Sequence, residues 1–349
     1  MAIPFVPGVL TPAQVEQTAA SIVTTQLASG AIPWDEGRHT DPWDHVQAAM
    51  ALSATGRLDE AAAAYDWSRT HQRPDGSWAI RYLDETVEDA HTDSNFCAYL
   101  ATGVWHHWLI TRDRTFLAAM WPVVERGLDA ALTMQRPDGA VSWAFANGAP
   151  LPDALVTGNA SIHLSLRCGL ALAEAVGQSR PDWELSAARL RHALDDHPEL
   201  FEAKPHHAMD WYYPVLGGAL PRAAAEAVID ERWDDFVVPG LGSRCVSTNP
   251  WVTGAETCEL VLALDVLGRT DDAVAQLSAM QHLRDADGSY WTGLVYDDGV
   301  RWPVERTTWT AATVVLAADA LSRTTPASGV FRGAGLPLCD WKVDAPCPL

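Results

Sequence analysis

Three stretches decide the fold: Gln72-Arg-Pro-Asp-Gly-Ser-Trp78, Gln135-Arg-Pro-Asp-Gly-Ala-Val-Ser-Trp143 and Gln281-His-Leu-Arg-Asp-Ala-Asp-Gly-Ser-Tyr-Trp291. Each closes a run with helical periodicity. In each, Asp-Gly supplies a tight turn, and the aromatic after it can cover the end of a helical hairpin. A degenerate motif returning at helix ends marks a repeat architecture. The helices around these turns alternate in character. Residues 57–71 and 113–134 are amphipathic and charged, whereas 159–176, 257–267 and 308–321 are apolar nearly all round. A helix with a polar stripe lies at the surface, and one apolar on every side is enclosed. Alternation along the chain therefore implies two concentric layers.

Twelve helices are expected, at 12–28, 42–55, 57–72, 91–111, 114–135, 158–176, 182–195, 209–219, 222–235, 253–267, 270–283 and 306–322. Thr11-Pro12-Ala13-Gln14 reads as an N-cap, a first-turn proline and a capping-box glutamine. Asp41-Pro42-Trp43-Asp44 repeats that logic, and Asp41 and Asp44 read as capping residues. Gly56, Gly177 and Gly268 stand where left-handed C-caps are wanted. Polar residues open the inner helices at Asp41, Asp93, Asn159, Asp210, Glu256 and Glu305, separated by 52, 66, 51, 46 and 49 positions. Each interval is one hairpin, and six hairpins close a ring. The expected fold is an all-α (α/α)6 toroid spanning 1–349 as a single domain, with an irregular tail from about 325.

Composition narrows the function. Lys+Arg number 24 against 45 Asp+Glu, a formal charge of −21. That balance opposes nucleic acid and anionic membranes, which are bound through basic patches. No run approaches the roughly 18 apolar residues of a membrane helix. The N-terminal stretch lacks the basic and apolar regions of a signal peptide. Six cysteines are scattered without CxxC spacing; four read as buried small hydrophobes, and Cys339 and Cys347 could pair in the tail, but free thiols in a cytoplasmic setting are expected. No His/Cys/Asp/Glu set has metal-ligand spacing, and no cofactor motif is present, so neither metal nor cofactor is expected.

If the inner helices run the same way, their N-termini meet at one face, where partial positive charge and free N–H groups attract polar ligands. The segments assigned there are rich in acids and aromatics: Trp34 and Asp35, Asp89, His91 and Asp93, Asp210 to Tyr212, Trp251 to Glu256, and Glu305, Arg306 and Trp309. Flat apolar rings beside carboxylates suit a sugar, whose C–H face stacks while its hydroxyls bond acceptors. Paired carboxylates suit glycoside cleavage. An acid at a helix start is, however, most often a cap, and a tryptophan in the repeated turn most often a clamp.

Val87-Glu-Asp-Ala-His-Thr-Asp-Ser-Asn-Phe96, Trp105-His-His-Trp-Leu-Ile-Thr-Arg-Asp113, Phe116-Leu-Ala-Ala-Met-Trp-Pro122, Asp41-Pro-Trp-Asp-His-Val-Gln-Ala-Ala-Met50 and Glu305-Arg-Thr-Thr-Trp-Thr-Ala-Ala312 resemble the glucoamylase-like six-hairpin glycosidases. The resemblance implies an (α/α)6 toroid and an inverting pair of carboxylates. At the place of the family's general acid the chain has only Asp153. Where the general base belongs it reads Tyr290-Trp-Thr-Gly293, without a carboxylate. The Gln-x-x-Asp-Gly-Ser-Trp turn is also similar to the repeated motif of squalene cyclases and prenyltransferase-like toroids, but their Asp-x-Asp-Asp acid is missing.

The expectation is a carbohydrate-active enzyme, a glycoside hydrolase with a small-molecule substrate, a sugar or glycoconjugate. Asp93, Glu256 and Glu305 are the leading catalytic carboxylates, with Asp153 at the family position. Trp34, Asp35, Asp89, His91, Asp210, Trp211, Tyr212, Trp251, Arg306 and Trp309 are candidate substrate-binding residues. A terpenoid cyclase acting on an isoprenoid and a non-catalytic sugar-binding toroid are the alternatives; the oligomeric state is left open.

Overall fold

The computed structural model describes residues 2–339, so the pairing of Cys339 with Cys347 falls outside the described residues. Within them the helices are α1 (Pro12–Thr25), α2 (Pro42–Ala54), α3 (Leu58–His71), α4 (Ser94–Thr111), α5 (Arg114–Leu132), α6 (Val156–Ala175), α7 (Pro181–Asp196), α8 (Ala208–Leu216), α9 (Arg222–Glu231), α10 (Trp233–Phe236), α11 (Gly254–Val266), α12 (Thr270–Ala279) and α13 (Thr308–Ser322). All twelve expected helices are present. The stretch expected at 222–235 breaks after Glu231 and resumes as the short α10.

Packing closes the ring. α2, α4, α6, α8, α11 and α13 touch in that order, and α13 returns to α2. The outer helices α3, α5, α7, α9 and α12 each back the inner helix they follow, and α1 backs α13. The layers follow from the residues. Inner helices such as α4, α6, α11 and α13 bury nearly every side chain, while α3, α7 and α9 bury one stripe. Thr11 forms the expected capping box with Gln14. Gly56, Gly177 and Gly268 take φ of +77°, +77° and +70° just past their helices.

The repeated turns form a seam between successive outer helices. Gln72 Nε2 donates to the Gly76 carbonyl at 2.9 Å and to Val123 of α5 at 2.8 Å. Gln135 does the same to Gly139 and to Ser186 of α7, both at 3.0 Å. Gln26 repeats it to Gly30 and to Glu60 of α3, a fourth copy that lacks the Asp-Gly-Trp signature. The glycines at φ near +90° are needed twice over: a Cβ on Gly76 would lie 2.4 Å from the Arg126 carbonyl oxygen. Trp78 is buried with its indole N–H on the Ser68 carbonyl, a clamp rather than a ligand surface.

Sequence reading missed the short antiparallel strands between outer and inner helices. The largest group joins Val237–Val238, Gly242–Arg244, Trp251–Thr253, Gly293–Val295 and Val300–Arg301 into one sheet. Strands of two or three residues have too little length for an alternating pattern. They rim the face where the inner helices begin.

Candidate active site

A cavity of about 220 Å³ opens at that face, lined by Trp34, His39, Asp41, Trp43, Asp44, Ile80, Arg81, Phe96, Met209 and Trp309. Asp41, Trp43 and Asp44 open α2, Phe96 opens α4, Met209 opens α8 and Trp309 opens α13, so inner-helix N-termini do converge there.

Asp41 caps α2, its Oδ1 accepting from Trp43 N at 3.0 Å and Asp44 N at 2.9 Å. Asp44 does not cap, which corrects the sequence reading. Its carboxyl lies in the cavity wall beside Asp41. Burial above all, then the charge and hydrogen bond of Asp41 and the charges of Glu259 and Glu256, hold its pKa well above the usual carboxylate range. These surroundings favour the protonated form of Asp44.

α11 carries the opposing acids. Glu256 and Glu259, one turn apart on the same helix face, are both buried. Glu259 Oε1 accepts from Tyr213 OH at 2.8 Å and from Gln47 Nε2 at 3.3 Å, and Oε2 accepts from Tyr212 OH at 2.7 Å. Burial pushes its pKa up to about 7 while these donors pull it down. Glu259 lies one residue behind the cavity wall by two routes. Trp309 donates its indole N–H to Gln47 Oε1 at 3.0 Å, and Trp43 meets the Tyr213 ring edge-on at 5.7 Å.

The other expected residues divide. Trp34 and Trp309 line the cavity with ring centres 5.8 Å apart. Glu305 stands behind Trp34, accepting its indole N–H at 2.9 Å. Asp93 caps α4 through Asn95 N and Phe96 N, and burial raises its pKa to about 7, so its oxygen is committed to the helix. Asp210 takes a hydrogen bond from Thr157 at 2.5 Å, and its Oδ2 is buried without a protein partner. Eight other expected residues stand outside the cavity lining. Trp211 stacks on Phe236 and donates to the Val228 carbonyl, and Tyr212 is wholly buried, so neither presents a face to a ligand. Asp153 is exposed and outside the cavity lining. Asp35 and Arg306 border a separate depression, where Arg306 pairs with Asp285 and Asp287. Asp89 and His91 pair with one another at 2.9 Å, largely in solvent. Trp251 packs against Trp302 at the outer rim.

Asp44, Trp43, Gln47 and Glu259 were missed. Their signal is Asp41-x-x-Asp44 and Glu256-x-x-Glu259: acids at helical spacing inside helices otherwise apolar on every side, which no surface role explains.

No family model matches the chain. Among solved structures, a glycosidase in complex with glucose matches with TM-score 0.66 at 16% identity, covering 88% of this chain and 96% of that one. A D-mannose isomerase matches with TM-score 0.70 at 11% identity, covering 89% and 96%. A rhamnosidase from Klebsiella oxytoca matches with TM-score 0.62 at 14% identity, covering 89% and 64%. Fold and likeness together define a six-hairpin, (α/α)6 toroid of the glycosidase type. Among curated proteins, the MMP endo-(1,4)-3-O-methyl-alpha-D-mannosidase of Mycolicibacterium hassiacum is 61% identical over 336 residues, 96% of this chain and 94% of that protein. The chain belongs to that family and is a glycoside hydrolase. The isoprenoid-cyclase and non-catalytic alternatives give way to this result.

Proposed function

We propose that this enzyme cleaves internal α-(1,4) bonds of a 3-O-methyl-D-mannose polysaccharide, with Asp44 as general acid and Glu259 as general base. The relative's specificity supports the substrate. The asymmetry between the two buried acids carries the mechanism. Burial first, then the like charges around it, favour the protonated form of Asp44. Glu259 has three donors, which favour its ionised form. Environments that separate two carboxyl groups in this way assign the acid and the base.

The Asp44 O–H protonates the glycosidic oxygen as its bond to C1 breaks, and a water attacks C1 from the opposite face, yielding its proton to Glu259. Three donors leave Glu259 one of its lone-pair sites for that water. Asp41 and Glu256 add negative charge near a sugar ring that turns cationic in the transition state. Trp34, Trp43 and Trp309 give the ring apolar faces. The free thiols of Cys97, Cys168, Cys245 and Cys258 support a cytoplasmic, reducing setting.

The test is incubation with purified 3-O-methylated and unmethylated α-(1,4)-mannans, following chain length and new reducing ends. Mid-chain cuts in the methylated polymer alone are expected. Release of single sugars from one end, or cleavage of neither polymer, would contradict the reading.

A further inference from the structure

Among the described residues nine large apolar side chains are exposed, and five of them, Val87, Phe145, Val300, Trp302 and Val304, lie in the segments that lead into inner helices. Exposed apolar surface is thus concentrated at the mouth of the ring, and such concentration marks a binding surface. It is greatest at Trp302, 54% exposed, and Val304, 78% exposed.

This corner is held in place. Trp251 donates its indole N–H to the Trp302 carbonyl at 2.7 Å, and the two rings meet edge-on with centres 4.8 Å apart. Trp302 N bonds the Gly293 carbonyl, and Thr292 N bonds the carbonyl of Glu305. An exposed indole fixed in this way loses little freedom when something stacks on it. It is also close to the cleft along the chain. Glu305, which holds the cavity-lining Trp34, is three residues on, a reach of at most about 11 Å.

We propose that Trp302 and Val304, backed by Trp251, form a distal subsite that takes an O-methylated hexose unit of the bound chain beyond the scissile bond. The proposal rests on the endo-acting reading above. O-methylation replaces a hydroxyl donor with an apolar methyl group. A shelf of indole and valine offers such a unit contact area, whereas it leaves the hydroxyl of an unmethylated sugar without a partner, at a cost. The subsite therefore selects for methylation as well as for length.

The experiment measures kcat/KM of wild type, Trp302→Ala and Trp302→Phe on defined methylated chains of increasing length. In parallel, calorimetry follows binding of the same chains to Asp44→Asn with and without Trp302→Ala. The shelf requires Trp302→Ala to lose about tenfold in kcat/KM and in affinity on long chains, through KM with kcat held. The loss should shrink toward the shortest chain cleaved, and Trp302→Phe should recover most of it. Equal losses at every length, or none, with a wild type that cleaves the polymer, would overturn the shelf alone. A wild type that cleaves no methylated chain would overturn the parent reading and the shelf with it.

Discussion

Gln47 of α2 and Glu259 of α11, 212 residues apart in sequence, meet across the ring with Nε2 3.3 Å from Oε1. The Gln47 oxygen takes the Trp309 indole N–H, so one amide ties α2, α11 and α13 together at the floor of the cavity. An inner ring with a fixed register is what makes such a contact reproducible. The proposed acid–base pair depends on it.

The donors around Glu259 should set the acidic side of the pH profile. A tyrosine hydroxyl bonded to a carboxylate stabilises the ionised form, so removing it raises the carboxyl pKa. Tyr213→Phe should move the acidic limb of kcat/KM to higher pH from its wild-type position near 7, with a smaller effect above it. Rate profiles from pH 5 to 9 check this; a limb shifted to lower pH would contradict it.

Asp93 gives a stability test with a definite sign. Its folded pKa is raised to about 7, above the ordinary Asp value. Between the two, the folded protein keeps a proton that the unfolded chain has released, so stability falls as pH rises through that window. Asp93→Asn keeps an oxygen to cap α4 but carries no charge. Its Tm should exceed the wild type's at pH 8, with the difference fading toward pH 4. His45 and His106, pushed down by burial to about 4 and about 3, act in the opposite sense. Below about pH 6.5 the unfolded chain takes up their protons first, so wild type and variant should lose stability together on the acid side.

Gly76 tests the seam of outer helices. An alanine there needs φ near +87° and places its Cβ 2.4 Å from the Arg126 carbonyl oxygen. Gly76→Ala should cost about 2 kcal/mol or more in denaturant unfolding, with kcat intact for the folded fraction.

Much of this architecture was legible in the chain. Helices α6, α11 and α13 are apolar nearly all round, α3 and α5 are striped, and the Gln-to-Trp turn recurs, so ring, layers and hairpin count follow from local pattern. The candidate site was half legible. Trp34, Trp309 and Glu256 were singled out because they sit in segments rich in acids and rings. Asp44 was read as a cap because it follows Asp41 and a proline, and only the fold shows which carboxylate the backbone uses. Glu259 was passed over because it lies in the second turn of an apolar helix, and its partners Tyr212, Tyr213 and Gln47 come from two other helices. Trp211 was misplaced because a tryptophan at a helix start looks the same in sequence whether its ring faces the lumen or the outer layer.

Stereochemistry separates a base from a nucleophile. As the proposed base, Glu259 acts on a water that attacks C1 from the opposite face, so hydrolysis of an α-bond should release the β-anomer first. Proton NMR of the earliest product reads this; an initial α-anomer would require a carboxylate in direct contact with C1.

The central claim is that Asp44 and Glu259 act as a pair, and single-turnover and steady-state hydrolysis of the methylated polysaccharide by Asp44→Asn and Glu259→Gln tests it most directly. Each variant should retain the wild-type circular dichroism and lose about 10²- to 10⁴-fold in kcat. Wild-type kcat in either folded variant would contradict the assignment.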